Sequence, residues 1–446
     1  MIFEKYLPYY RRNLQIALPV MLSQAGQVMV QQADNMMVGY VGTTELAAAS
    51  FANSVFMLSM ILGMGFTFGL TPLVGHAFAT GNNRKSGTLF RNAIVVNITT
   101  GFILTIIMFL ISFLMDRMSQ PEQVVALAIP YYRIQVVSFL PFILFYTFKQ
   151  YSEGIGNTKI AMYITLSANV INIALNYILI FGKFGAPELG LNGAGFSTLI
   201  ARILMPILFI IAFSKITKLR RHLIFLKKAI IEKEVIRQLF HMGWPIGLQM
   251  TLEVAAFAIS GIMIGWLGEV PLAANQIAMG ISSISFMIIT GIGSGTTIRI
   301  SHQYSKREFS AVKNATYASL HLVWVFMTST AIIFLLFRSY IPSLYSLNPE
   351  VIDLAAQLLI MAAIFQLVDG SQVIFLSALR GLADVKKAMV YAFISYIVIN
   401  LPVGYFFAFT LELGAIGIWI GIICGLTTAA ILFYSRFKHQ INHLSE

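Results

Sequence analysis

Twelve stretches of about twenty or more mostly apolar residues run through the chain, each long enough as a helix to cross a hydrocarbon core of about 30 Å. They lie at 13–38, 46–76, 91–115, 124–148, 160–181, 193–214, 239–266, 271–300, 315–340, 352–377, 388–410 and 413–435. A membrane β-barrel would instead alternate apolar and polar residues in segments of about ten, and these stretches do not alternate. With 58% of residues hydrophobic, only 11% charged and a mean hydropathy of +0.79, the composition excludes an ordinary soluble domain. The expected fold is an all-α polytopic membrane protein with twelve transmembrane helices.

The formal net charge of +12 does not point to nucleic acid, because the basic residues gather in short connections between apolar runs. Every second connection is rich in them: Arg84 and Lys85, Lys149 and Lys159, the run from Lys215 to Arg237, Lys306 to Lys313, Arg380 with Lys386 and Lys387, and Arg436 with Lys438. By the positive-inside rule this alternation puts both termini in the cytoplasm. The first apolar run has no short core ending at a cleavage site of small residues, so it is expected to be a retained span. The single cysteine, Cys424, lies inside an apolar run and leaves no disulfide framework or thiolate metal site.

An internal repeat joins the two halves without a gap. Pro19 aligns with Pro245, Gly39 with Gly265, Gly42 with Gly268, Leu46-Ala47-Ala48 with Leu272-Ala273-Ala274, Gly65 with Gly291, Gly69 with Gly295, and His76 with His302. One residue later in register, EGIGNTK at 153–159 aligns with RGLADVK at 380–386. Six spans per half give both halves the same orientation, which predicts two six-helix bundles related by a pseudo-two-fold axis along the membrane normal. The expected domains are 1–214, a cytoplasmic linker at 215–237, and 238–446. Two rocking halves are a common transporter plan. The spacing of Gly65 with Gly69, and of Gly291 with Gly295, suits close helix packing within each half.

Three carboxylates interrupt the apolar runs: Asp34, Glu253 and Asp369. At 1.5 Å per residue, Glu253 and Asp369 fall near mid-depth and Asp34 toward the outer leaflet. A charge at a span centre costs about 3 kcal/mol on insertion scales, so these acids must face protein or water. Ion pairing with Arg202 or Arg299 is one reading; binding of protons, metal cations or cationic substrates is the other. The repeat opposes Asp34 with Ser260 and Glu253 with Gln27, so the halves share a scaffold but not the acids. Asn169, Asn172 and Asn176 fall on one helical face, where they either bond between helices or complete a cation site.

The sequence contains neither a phosphate-binding G-x-x-x-x-G-K-[ST] loop nor an H-E-x-x-H zinc motif. An ATP-driven pump and an intramembrane enzyme are therefore disfavoured, and an ion gradient is the expected energy source. The stretch ALPVMLSQAGQVMVQQADNMMVGYVGTTELAAAS, its copy GWPIGLQMTLEVAAFAISGIMIGWLGEVPLAANQIA, and EGIGNTK with RGLADVK together resemble the multidrug and toxic compound extrusion (MATE) family, over nearly the whole chain. Acids in both halves look like its bacterial NorM-type branch.

The resemblance implies two lobes in a V shape, in a bacterial inner membrane, exporting cationic amphipathic compounds in exchange for Na+ or H+. It implies an N-lobe coupling and substrate site at Asp34, Asn172 and Asn176, and a C-lobe cation site at Glu253 and Asp369 that is a candidate for Na+. The aromatic nearest Asp369 in sequence is Phe365, which has no hydroxyl. No cofactor and no nucleic acid are expected; the partners are organic cations and membrane lipids, and the protein is expected to be a monomer. The alternative function is a lipid-linked oligosaccharide flippase of related plan, which would need a basic rather than an acidic cavity.

Overall fold

The computed structural model describes residues 2–445, and among them there is no β-strand. The helices are α1 (Ile2–Val41), α2 (Thr43–Phe68), α3 (Leu70–Ala79), α4 (Asn83–Ile111), α5 (Glu122–Gly154), α6 (Thr158–Phe181), α7 (Gly190–Lys215), α8 (Thr217–Lys228), α9 (Lys233–Gly265), α10 (Glu269–Ser305), α11 (Phe309–Leu336), the short α12 (Tyr340–Ser343), α13 (Pro349–Gly381), α14 (Val385–Phe393), α15 (Leu401–Tyr405) and α16 (Gly414–Ser445). Two π-helical stretches, Ile394–Asn400 and Phe406–Thr410, flank α15 and complete one span.

Each expected span is met by a helix. Eleven of these helical spans are long and apolar enough to cross a membrane by themselves, with α2 and α3 counted together. The expected first span lies within the unbroken α1, whose polar Gln31, Gln32, Asp34 and Asn35 dilute its apolar character.

Local sequence sets the helix ends. The side chains of Asn82, Asn157 and Asn348 accept hydrogen bonds from the first-turn N–H groups of α4, α6 and α13. Gly182, in the left-handed region at φ 62°, closes α6 by returning its N–H to the Ile178 carbonyl.

The chain forms two compact units, residues 22–247 and residues 1–21 with 248–446. In the first, α5 is central and packs on α2, α4 and α7. In the second, α13 is central and packs on α10, α11 and α16. The same arrangement on repeat-mate helices follows from the duplicated sequence.

The unit boundaries differ from the expected domain limits at 214 and 238. They fall inside α1 and α9, two residues after Pro19 and Pro245, which are themselves repeat mates. Proline has no N–H to continue the helical ladder, so both crossings lie beside a built-in weakness. The N-terminal half of α1 packs within the second unit, where a Cβ on Gly291 would stand 2.4 Å from Met21 Cγ and one on Gly295 would stand 3.1 Å from Ala17 Cβ. Reciprocally, the start of α9 packs with the first unit, where a Cβ on Gly69 would come within 2.6 Å of the Gly243 backbone nitrogen. The glycine spacing therefore receives a helix end contributed by the other half of the sequence.

The basic run expected as a linker is also folded. Leu219 and His222 of α8 are buried, and the His222 ring packs near Phe78 of α3 while its Nδ1 lies 2.8 Å from the Tyr151 hydroxyl of α5. That hydroxyl also contacts Ser86 Oγ of α4 at 3.1 Å. Arg91 Nη1 donates to the Ala229 carbonyl at 2.7 Å, and Asn92 brackets the next turn by donating to the Ile230 carbonyl and accepting from the Glu232 N–H, each at 2.9 Å.

Two outcomes follow. Gly69→Ala drives a methyl into backbone and should lower stability by about 2 kcal/mol, whereas Gly280→Ala, where a Cβ meets nothing within 4 Å, should not; thermal unfolding in detergent compares them. Burial lowers the His222 pKa below its ordinary 6.5, so docking of α8 favours the neutral ring. Its stabilisation is intact above about pH 6.5 and erodes as pH falls from there through the lowered value. Amide exchange of 217–228, corrected for intrinsic rates, should rise on acidification in the wild type and less in His222→Gln.

Candidate functional site

In the first unit, α1 and α6 bring the expected trio together. Asn176 Nδ2 donates to Asp34 Oδ1 in a short hydrogen bond. In the amide orientation that satisfies its neighbours, Asn172 Nδ2 donates to the same oxygen at 3.0 Å while its carbonyl accepts from the Thr198 N–H at 3.3 Å. The four-residue spacing stacks the two amides on one face of α6, so both reach a single carboxylate oxygen. Asn176 Oδ1 is buried without a hydrogen-bond partner, leaving an oxygen beside the acid. Asn169 shares the face but not the cluster; it is buried, and its Nδ2 is unpaired.

Neither arginine neutralises the acids by an ion pair among the described residues. Arg202 Nη1 donates to Gln135 Oε1 at 3.2 Å and to Ser138 Oγ at 2.6 Å, and its guanidinium lies 4.8 Å from the Phe142 ring centroid and 5.4 Å from that of Phe56. Arg299 bonds to the Tyr9 carbonyl at 2.8 Å and to Asn13 Oδ1. Arg202 is thus held by neutral acceptors and aromatic faces. The described ion pairs are elsewhere: Lys149 with Glu153 at 3.4 Å and Arg436 with Asp384 at 2.5 Å.

In the second unit, α9 and α13 bring Glu253 and Asp369 to one amide. Gln372 Nε2 lies 3.2 Å from Asp369 Oδ1 and 3.4 Å from Glu253 Oε1, while Gln249 Nε2 donates to Glu253 Oε2 at 2.9 Å. Tyr396 Oη donates to Gln372 Oε1 at 3.0 Å, and Arg380 Nη2 donates to Gln249 Oε1. Asp369 is 1% exposed, and its Oδ2 has no hydrogen-bond partner. The cluster therefore offers carboxylate, amide and phenol oxygens, with the cation Arg380 set back behind Gln249. Two carboxylates served by so few donors are short of positive charge, which an incoming cation or proton supplies.

A family model for MatE matches residues 19–178 and again 245–406, once in each half. The chain belongs to the MATE family. This MATE chain is 32% identical over 446 aligned residues to the probable multidrug resistance protein NorM of Rhizobium meliloti, covering 98% of this chain and 95% of that protein. It is 31% identical over 432 residues to the multidrug resistance protein NorM of Photobacterium profundum, with 96% and 95% covered. A crystal structure of a MATE protein in a bent conformation superimposes with a TM-score of 0.89 at 20% identity, covering 99% of this chain and 98% of that one, which establishes the fold. This is a multi-pass membrane transporter and not an enzyme. The matches do not favour the flippase alternative.

Several buried polar residues in and around the clusters carry little signal in the sequence. Arg380 and Lys149 stand among the basic residues that read as orientation signals, yet Arg380 reaches Gln249 and Lys149 is buried beside Glu153. They hold equivalent ends of the two central helices: Glu153 is the repeat mate of Arg380. Tyr396 supplies the hydroxyl that Phe365 lacks, from within the π-helical stretch that follows α14. A signal for it was present, because the later repeat register carries Asn169 onto Tyr396. π-Helical turns inside α-helices are frequent at functional sites, and here one carries the phenol of the cluster. Gln249 and Gln372 gave no distinct signal, being two of several glutamines in apolar runs.

Gln372→Leu removes the donor shared by both acids and the acceptor of Tyr396. It should destabilise the protein by about 3 kcal/mol, from charge-assisted bonds lost in a buried setting, with Tyr396→Phe losing only about 1 kcal/mol. Unfolding midpoints of the two variants in one detergent compare them.

Proposed function

We propose that this transporter exports cationic, amphipathic compounds of several kinds from the cytoplasm in exchange for Na+ or H+. The relatives named for multidrug resistance support the substrate class. The observation that carries the coupling is the pair of half-buried Glu253 and buried Asp369 in one unit, sharing the Gln372 amide and lacking an ion-pair partner among the described residues. Asp34, with Asn172 and Asn176, is the corresponding acid of the other unit and the proposed meeting place of coupling ion and drug.

In this mechanism an entering cation neutralises a carboxylate cluster that otherwise attracts the cationic drug, so the two compete. Exchange then requires that each ligand prefer one conformation over the other; tight binding alone shifts nothing. The basic connections support placement in the cytoplasmic membrane of a bacterium with both termini inside. The chain acts as a monomer, with its sequence halves as the expected lobes.

Efflux of a fluorescent organic cation from proteoliposomes, with Na+ and pH gradients imposed separately, tests the reading. Wild-type protein should move the cation saturably and against its gradient, driven by one or both ions. Asp34→Asn, Glu253→Gln and Asp369→Asn should each lower ion-driven efflux by about tenfold or more, as expected for loss of a coupling free energy of at least 1.4 kcal/mol. Wild-type coupling in all three variants would overturn the assignment of the acids.

A further inference from the structure

The outward face of α8 combines features that neither a cytosolic helix nor a membrane span needs together. At 100° per residue, Arg220, Arg221, Ile224, Lys227 and Lys228 fall in one sector about 120° wide, opposite the docked Leu219, His222 and Leu226. All five are exposed. None of the four cations is in an ion pair with a carboxylate among the described residues, and the sequence from Lys215 to Ile231 contains no acid. Ile216, Ile224, Ile230 and Ile231 are also exposed, at 41%, 48%, 59% and 56%.

We propose that this face is a binding surface for the headgroups of anionic phospholipids in the membrane that surrounds the protein. Unpaired cations interleaved with exposed isoleucines match a surface that is anionic at the headgroups and apolar just beneath them. Position selects the bilayer over a soluble acidic partner. Only Ile216 separates α8 from the membrane-spanning α7, so the isoleucines sit within a few turns of the hydrocarbon boundary. The inner side of the helix is already fixed, through His222 to Tyr151, and the carbonyls that follow it are held by Arg91 and Asn92. The arginines and lysines on the outer side are free to extend their charged ends to phosphates while their stems cover apolar surface.

Native mass spectrometry of the full chain, after equilibration with mixed micelles containing phosphatidylglycerol or phosphatidylcholine, tests the proposal. The wild type should retain phosphatidylglycerol in preference to phosphatidylcholine and gain thermal stability from it, with both effects falling as salt rises. The combined variant Arg220→Gln, Arg221→Gln, Lys227→Gln, Lys228→Gln should unfold at the wild-type temperature in phosphatidylcholine but bind phosphatidylglycerol on the order of a thousandfold more weakly. A control with Lys306→Gln and Lys313→Gln, exposed cations of the other unit, should behave as wild type.

Undiminished phosphatidylglycerol retention in the fourfold variant would overturn the proposal. An equal loss in the control would mean that total charge governs retention, and would also overturn it. Equal stabilisation by inorganic phosphate alone would make this a soluble-anion site and refute the lipid assignment.

Discussion

A hydrocarbon surrounding offers a polar atom nothing to bond to, so each carboxylate within the spans must find its donors on its own helix or on a neighbouring one. That constraint explains why the acids stand where helices of one unit meet and why amides accompany them. Asp34 is answered from α6 by two asparagines one turn apart, and Glu253 by glutamines on its own helix and on α13. Amides bond a carboxylate without cancelling its charge, so the acids are held in place yet still attract a cation. A lysine or arginine in direct contact would have made each cluster a structural ion pair and closed it to exchange.

The duplicated scaffold carries different chemistry in its two copies. Where α5 ends in Glu153, buried and paired with Lys149 one turn earlier, α13 ends in Arg380, which reaches back to Gln249 and through it to Glu253. A change of charge sign at one repeat position thus separates a self-contained ion pair from a cation linked to the pair of acids. The face of α6 that carries asparagines corresponds to the span that presents Tyr396. Duplication supplied the packing, and substitutions at a few buried positions made the sites unequal.

Spans and acids were legible because apolar run length and isolated charge are local properties of a sequence. The Asp34 trio was legible in part, since helical periodicity aligned the asparagines, although Asn169 shares their spacing and lies outside the cluster. The partners of Glu253 were not legible: Gln249 and Gln372 resemble any glutamine in a span, and Arg380 lies among basic residues that set orientation. The folded state of α8 was hidden for a similar reason, because a run of cations reads as a loop until its buried Leu219 and His222 are seen to share one face. The exchange of helix ends had no local signal beyond Pro19 and Pro245, since it depends on which distant residues a helix meets after its proline.

That exchange also bears on how the protein is made. Residues 1–21 belong to a compact unit whose other members begin at Leu248, so the start of α1 leaves the ribosome long before any of its packing partners exist. During synthesis the membrane must hold this segment in a provisional environment while more than half of the chain is added. The unit 22–247 faces no such delay, except that its last helical turns come from α9. Assembly of the two units is therefore ordered in time even though their sequences are copies, and the second can be completed only by retrieving the first helix made.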